Sequence, residues 1–262
     1  MNGSAHISAV HSFNTIVIGS GAAGLNAALC LHERGVENIA IITERMGAGT
    51  SNNAGSDKQT YDKLALDGEK PDSTRQMATD LFAGGLMHGD IALCEAAHSA
   101  QCFYRLVQLG VKFPHDRYGN FPGYQTDHDT HSRATSAGPL TSRDMVQCLL
   151  GEIKRRDIPV FDGFQVVELL TREKDGDSET VGALAFDLGK INGEKHGLTA
   201  FNAVNVILAT GGPAGMYAES VYPPSQYGAH GLAIAAGAIG HNLTESQFGL
   251  AAVKFRWNVS GS

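Results

Sequence analysis

The chain has 262 residues, 42% of them hydrophobic and 18% charged, which allows a substantial core and argues against global disorder. Twenty Lys and Arg against 27 Asp and Glu give a net charge of −7, which disfavours a nucleic-acid partner but not a small anion held by backbone dipoles. No apolar run reaches the roughly 18 residues that cross a bilayer, and residues 1–11 contain no Lys or Arg, so neither a membrane span nor a secretory signal is predicted.

In chain order, residues 1–12 read as a flexible leader, and residues 14–18 (NTIVI) as a short buried strand. Residues 22–34 follow as a helix with Leu25, Ala28, Leu29 and Leu31 near helical spacing, and Gly35 stops it. Residues 38–43 (NIAIIT) form a second strand, completing a βαβ unit that favours a parallel sheet. The Gly-, Ser- and Asn-rich stretch 46–60 reads as a loop. Residues 73–109 read as mostly helical, with a break at Gly84-Gly85 and a new start near Asp90. A long loop is predicted over 110–139, then a helix over 142–156 with Met145, Leu149 and Ile153 on one face. Strand-like segments 159–161, 164–170, 181–187 and 203–209, with a turn at 175–179, suggest a small antiparallel meander beside the main sheet. Residues 228–240 read as a closely packed Ala-rich helix. The four cysteines, Cys30, Cys94, Cys102 and Cys148, form no CxxC and read as buried or partly buried free thiols of a reducing compartment.

Thirty-two glycines against 8 prolines, without a repeat, suggest close backbone approaches. Gly19-Ser20-Gly21-Ala22-Ala23-Gly24 is a GxGxxG placed between the first strand and the first helix. In that context Gly19 makes the sharp turn, Gly21 lets the backbone approach a pyrophosphate, and Gly24 lets the helix lie close to the sheet. The helix N-terminus then offers N–H groups and a positive dipole end to the phosphates. Glu44 ends the second strand, 20 positions after Gly24, where a carboxylate accepts hydrogen bonds from ribose hydroxyls. This unit suits NAD and FAD alike. Residues 206–212 (VILATGG) form an apolar strand that ends in a sharp turn at Ala209-Thr210-Gly211-Gly212, a pattern of flavoproteins.

Together these features resemble the flavoprotein subunit of the succinate dehydrogenase/fumarate reductase family, which also includes aspartate oxidase and adenylylsulfate reductase. The resemblance covers most of residues 14–250 and rests on IVIGSGAAGLNAAL (16–29), TSNNAGSDKQTY (50–61), RATSAGPLTS (133–142), VILATGGPAGMY (206–217) and NLTESQF (242–248). It implies an α/β, Rossmann-like FAD-binding domain over residues 13–262, with a central parallel sheet and a small antiparallel β-meander. It places Ser51, Asn52, Asn53 and Gly55 in a loop that approaches the pyrophosphate and flavin, and Val167 beside the adenine. Some members bind FAD covalently through a histidine after a serine in that loop. Here Asn52 follows Ser51, so the resemblance implies non-covalent FAD.

Two departures bear on activity. Dicarboxylate-specific members carry His after a Gln-Phe pair, whereas Gly249 follows Gln247-Phe248 here. The family's capping domain and catalytic Arg and His lie further downstream, so the chain reads as truncated, completed by a missing domain or a partner subunit. Its expected location is cytoplasmic, with any membrane association through a partner. Arg133 reads equally as an anion-binding group or a loop-fixing ion pair, and His230 as structural. The loop groups His115, Asp116, Asp127, His128, Asp129 and His131 lack a recognised metal spacing, and no metal is predicted. The alternatives are an NAD(P)-dependent dehydrogenase, a non-catalytic nucleotide-binding module, or a fragment that holds no cofactor stably.

Overall fold

The computed structural model describes residues 7–53, 59–67, 70–126, 129–193, 195–216 and 226–243. The elements are β1 (Ala9–Ile18), α1 (Ala22–Glu33), β2 (Ile39–Thr43), α2 (Thr50–Asn53), β3 (Tyr61–Asp62), α3 (Thr74–Ala83), α4 (Gly89–Leu109), β4 (Ala134–Thr135), α5 (Thr141–Arg155), β5 (Val160–Asp162), β6 (Phe164–Lys174), β7 (Asp177–Asp187), β8 (Leu198–Leu208) and α6 (His230–Ala235). They fall into two units, Met1–Ala54 with Leu149–Ile239 and Gly55–Cys148 with Gly240–Ser262.

The first unit is built on a six-stranded sheet in the order β5-β2-β1-β8-β7-β6. β5, β2, β1 and β8 run parallel, while β7 and β6 continue the sheet antiparallel. Residues Ile16–Ile18 and Ile39–Ile42 are buried without a break, as expected of strands covered on both faces. Ile16, Ile18 and Ile42 join one apolar cluster with Phe164, Val166 and Leu169 of β6 and Phe201 of β8. By strand alternation Val17 and Ile41 face the other way. α1 contacts both strands and buries Gly24, Leu25, Ala28 and Leu29.

Four expectations change here. The first strand begins at Ala9, because Ala9–Phe13 pair with Thr199–Ala203 of β8; residues 9–12 are therefore strand and not leader. The meander is not beside the main sheet but part of it, since Leu198–Asn202 of β8 pair with β7 while β8 also pairs with β1. The β6–β7 turn is shorter than expected, because Asp175 and Gly176 have φ of +54° and +90°, the left-handed pair that closes a two-residue hairpin. The Ala-rich helix is also shorter: α6 covers six residues, buries none of them, and stops before Gly237 at φ +98°.

The second unit contains α3, α4, the β3–β4 pair and the first part of α5. Ser73 caps α3 by accepting the Gln76 N–H at 3.1 Å, and Gly110 at φ +108° ends α4 in the left-handed conformation. Phe103, Leu106, Val111 and Phe113 form its apolar cluster, with Tyr61 and Phe121 packed against it. Cys94 is exposed, so one thiol departs from the buried or partly buried expectation, while the other three are half-buried and all four are free.

Candidate functional site

The turn from β1 into α1 lies at the carboxyl end of the parallel strands, where open α/β sheets bind ligands. Its three glycines serve different needs. Gly19 has φ +110°, and a Cβ there would stand 2.3 Å from the Ala209 carbonyl oxygen. A Cβ on Gly24 would stand 2.1 Å from the Gly19 oxygen, so α1 is pressed against the turn that feeds it. Gly21 is different: its φ of −75° is ordinary, and among the described residues a Cβ would meet only the Ser51 hydroxyl, at 3.5 Å. The packing of the chain itself requires glycine at 19 and 24 but not at 21.

Gly21 is the N-cap of α1 and caps no N–H with a side chain, and no acidic residue lies in the first turn. The helix end thus keeps its positive dipole for an anion. Ala22 N–H makes a long contact to Ser51 Oγ at 3.4 Å. Beside Gly21 stands Gly49, whose own Cβ would lie 3.9 Å from the Gly21 Cα, so two residues without side chains meet next to the helix end. A helix N-terminus bared of side chains in this way suits a pyrophosphate.

Ser20 is buried, and its hydroxyl bonds to that of Thr43 at 2.8 Å. This ties the glycine turn to the last residue of β2 and leaves Glu44, the next residue, exposed at the strand ends. Two residues on, Met46 N–H donates to Asp162 Oδ1 at 2.7 Å, holding the chain beyond Glu44 against β5. Asn52 and Asn53 turn their amides inward. Asn52 Nδ2 donates to the Gly47 oxygen at 2.9 Å, and Asn53 Nδ2 donates to the Gly47 and Gly49 oxygens at 2.6 and 3.0 Å.

On the far side, Ala209 N–H donates to the Ile18 oxygen at 2.8 Å, which extends the β1–β8 ladder to the turn. Thr210 follows, and Gly211 has φ +75°. The Thr50 hydroxyl donates to the side-chain carbonyl of Gln226. Sequence reasoning missed Gln226, which lies in a stretch without periodicity or motif. Val167 stands at a register shift between Val166 and Glu168, where β6 bulges and one residue loses its ladder partner. The first unit therefore brings together Gly19, Ser20, Gly21, Ala22, Ala23, Gly24, Glu44, Ser51, Asn52, Asn53, Ala209, Thr210 and Gly211 in its described residues, with Val167 on β6. Gly55 lies outside the described residues, as do Asp127, His128 and Gln247-Phe248-Gly249.

The second unit answers the question left open at Arg133. Its guanidinium is buried and grips Asp72 through two bonds of 2.8 Å, while Nη1 pairs with Asp80 at 2.8 Å and Asp129 at 3.1 Å. Burial opposes the Asp72 charge, but hydrogen bonds from Arg133 and the Ala65 and Ser73 N–H groups bring its pKa down to about 2. The Asp72 hydrogen bond, against burial and with help from Asp80, raises that of Arg133 above its ordinary value. With its forks occupied by carboxylates, Arg133 is the loop-fixing ion pair and not an anion receptor. Ligand atoms of Asp80, Asp129 and His131 lie within 4.8 Å of one another, but the guanidinium already bonds both acids of that group. Asp116 is used locally, accepting the N–H groups of Tyr118 and Asn120 at 2.8 and 2.9 Å.

Lys63 was not signalled by the sequence. It is fully buried, with Nζ 3.4 Å from the Phe121 oxygen and 5.1 Å from the centre of the Phe103 ring. Burial lowers its pKa, opposed by Asp67. No helix among the described residues is long and apolar enough to cross a membrane.

A glycine turn into an uncapped helix, an acid after the second strand and a returning strand beside them define a dinucleotide-binding α/β domain. The FAD binding domain family matches residues 14–261, and the chain belongs to that family. FAD is accordingly its cofactor. Among curated relatives, an L-aspartate oxidase of Mesorhizobium japonicum is 30% identical over 236 residues, covering 89% of this chain and 42% of the relative. The Mycobacterium smegmatis Sdh1 complex in its apo form superposes with a TM-score of 0.72 at 24% identity, covering 87% of this chain and 39% of that one. The open conformation of a flavocytochrome c3 fumarate reductase gives 0.67 at 20% identity, over 90% of this chain and 42% of that one. The chain spans about two fifths of the length of the curated relatives it matches.

Proposed function

We propose that residues 13–262 are the cofactor-holding part of a flavin-dependent oxidoreductase of the fumarate reductase, succinate dehydrogenase and aspartate oxidase type. The observation that carries this is Gly21, which the packing of the described residues does not require and which leaves the α1 N-terminus open to a ligand. Bound FAD supplies hydride transfer at flavin N5. The Ala22, Ala23 and Gly24 N–H groups hold its pyrophosphate, with Gly19 and Ser20 fixing the turn. Glu44 accepts hydrogen bonds from the ribose hydroxyls, and the β6 bulge at Val167 offers backbone groups to the adenine. Ser51 adds a hydroxyl to the phosphates from a turn that Asn52 and Asn53 shape, Gly55 is a further cofactor-binding residue, and Ala209, Thr210 and Gly211 form the wall nearest the flavin. With Asn52 after Ser51, the flavin is held without a covalent bond.

The groups that act on the substrate belong to a further domain or a partner subunit, and the substrate's identity depends on them. A cytoplasmic location, with membrane association only through a partner, accompanies this reading. The test is the visible spectrum of the purified chain after incubation with FAD. Flavin absorbance that co-purifies and passes to the supernatant on acid precipitation is expected. Gly21→Val should fold normally and lose FAD by 100-fold or more, roughly the loss of 3 kcal/mol. Wild-type affinity in the folded variant sinks the assignment of this turn.

A further inference from the structure

Gln226 touches two segments of the first unit, one of them distant in sequence. Its side-chain carbonyl accepts a hydrogen bond from the hydroxyl of Thr50, 176 positions away, at the start of α2. Its side-chain nitrogen lies against the turn after β8, where a Cβ built on Gly211 would stand only 2.5 Å from it. Its backbone carbonyl accepts the Gly215 N–H at 2.5 Å.

α2 is four residues long and buries none of them, so burial does not hold it in place. The Asn52 and Asn53 amides bond to Gly47 and Gly49 and shape the turn from within. Its contact with α1, from Ala22 N–H to Ser51 Oγ, is long at 3.4 Å. The bond from Thr50 to Gln226 joins this turn to the segment that backs Gly211. The two walls of the cleft, one carrying Ser51 and the other Thr210 and Gly211, are thereby tied to each other.

We propose that Gln226 is a positioning residue of the cofactor site: it latches the 49–53 turn to the 209–212 turn and so fixes the 49–53 turn beside the α1 N-terminus that receives the pyrophosphate. This rests on the FAD assignment above. Without the latch, an unanchored turn must be ordered when the cofactor binds, and that entropy is subtracted from affinity.

The test is a double-mutant cycle of Gln226→Leu and Thr50→Val in the 262-residue chain, read by FAD titration beside circular dichroism and thermal midpoint. Each single variant should weaken FAD about tenfold with little change in thermal midpoint, and the double variant should lose no more than either alone. Thr50→Ser, which keeps the hydroxyl, should bind as wild type does. Independent additive losses, unchanged affinity in both single variants, or a Thr50→Ser defect equal to that of Thr50→Val overturns the latch. Wild-type chain that takes up no flavin overturns the cofactor reading instead. The latch is then decided in the apoprotein by amide exchange of residues 49–53, which must speed up in both single variants; unchanged exchange rejects it.

Discussion

Lys63 shows how a single residue escapes a sequence reading. Nothing around it in the sequence distinguishes it from a solvated lysine, yet its ammonium sits among Phe103 and Phe121, with one carbonyl at 3.4 Å. A charge in such surroundings gives up hydration that one weak hydrogen bond and a ring face only partly replace. Folding depresses its pKa below 10.5, so between the folded value and 10.5 the unfolded chain binds the proton that the folded chain has released. Stability therefore rises with pH across that window, and the full penalty applies below it. Lys63→Met is expected to stabilise the protein at pH 7 by on the order of 1 kcal/mol. The advantage should shrink as pH approaches 10.5, and denaturant midpoints at the two pH values check it. A Met variant that is less stable at pH 7 would show that the amine contributes more than it costs. Arg133 is the opposite case. It was noticed in the sequence, but only the surrounding Asp72, Asp80 and Asp129 decide that it braces a loop.

At the level of elements, local chemistry foretold most of what forms. The helix-stop at Gly110, the break after Ala83 and the start near Asp90 follow from glycine and capping preferences and appear where expected. The β6–β7 hairpin turns on Asp175 and Gly176. Gly176→Ala places a Cβ at φ +90° and should cost about 1 kcal/mol of stability while leaving FAD affinity unchanged. Equilibrium denaturation and flavin titration measure the two; a fall in FAD affinity would mean that the hairpin communicates with the site. The failures were equally physical. α6 falls short of its alanine-rich segment because helix propensity without a buried face does not sustain a short helix. β1 extends back to Ala9 because β8 is long enough to pair with it, a partner 190 residues away that no local pattern announces.

For the whole molecule, the division into two units predicts where a bound cofactor acts. The described candidate residues from Gly19 to Gly211 all belong to the first unit. FAD at 100 times its Kd should stabilise what it binds by about 2.7 kcal/mol. Hydrogen exchange with and without FAD should show the strongest added protection in residues 15–53 and 199–212, with α3 and α4 little changed. Protection centred on α3 and α4 would move the site to the second unit.

The sequence alone determined the βαβ unit, its glycine turn and acid, and the family, because these depend on short-range spacing and on residues within one or two turns of each other. The tertiary structure alone decided which glycine the packing of the described residues does not require, that the meander joins the central sheet through β8, that Arg133 is held by carboxylates, and that Gln226 meets Thr50. Each of those is a meeting of segments far apart in the chain, set by strand pairing and side-chain packing, and a linear pattern does not encode which partner will be found there.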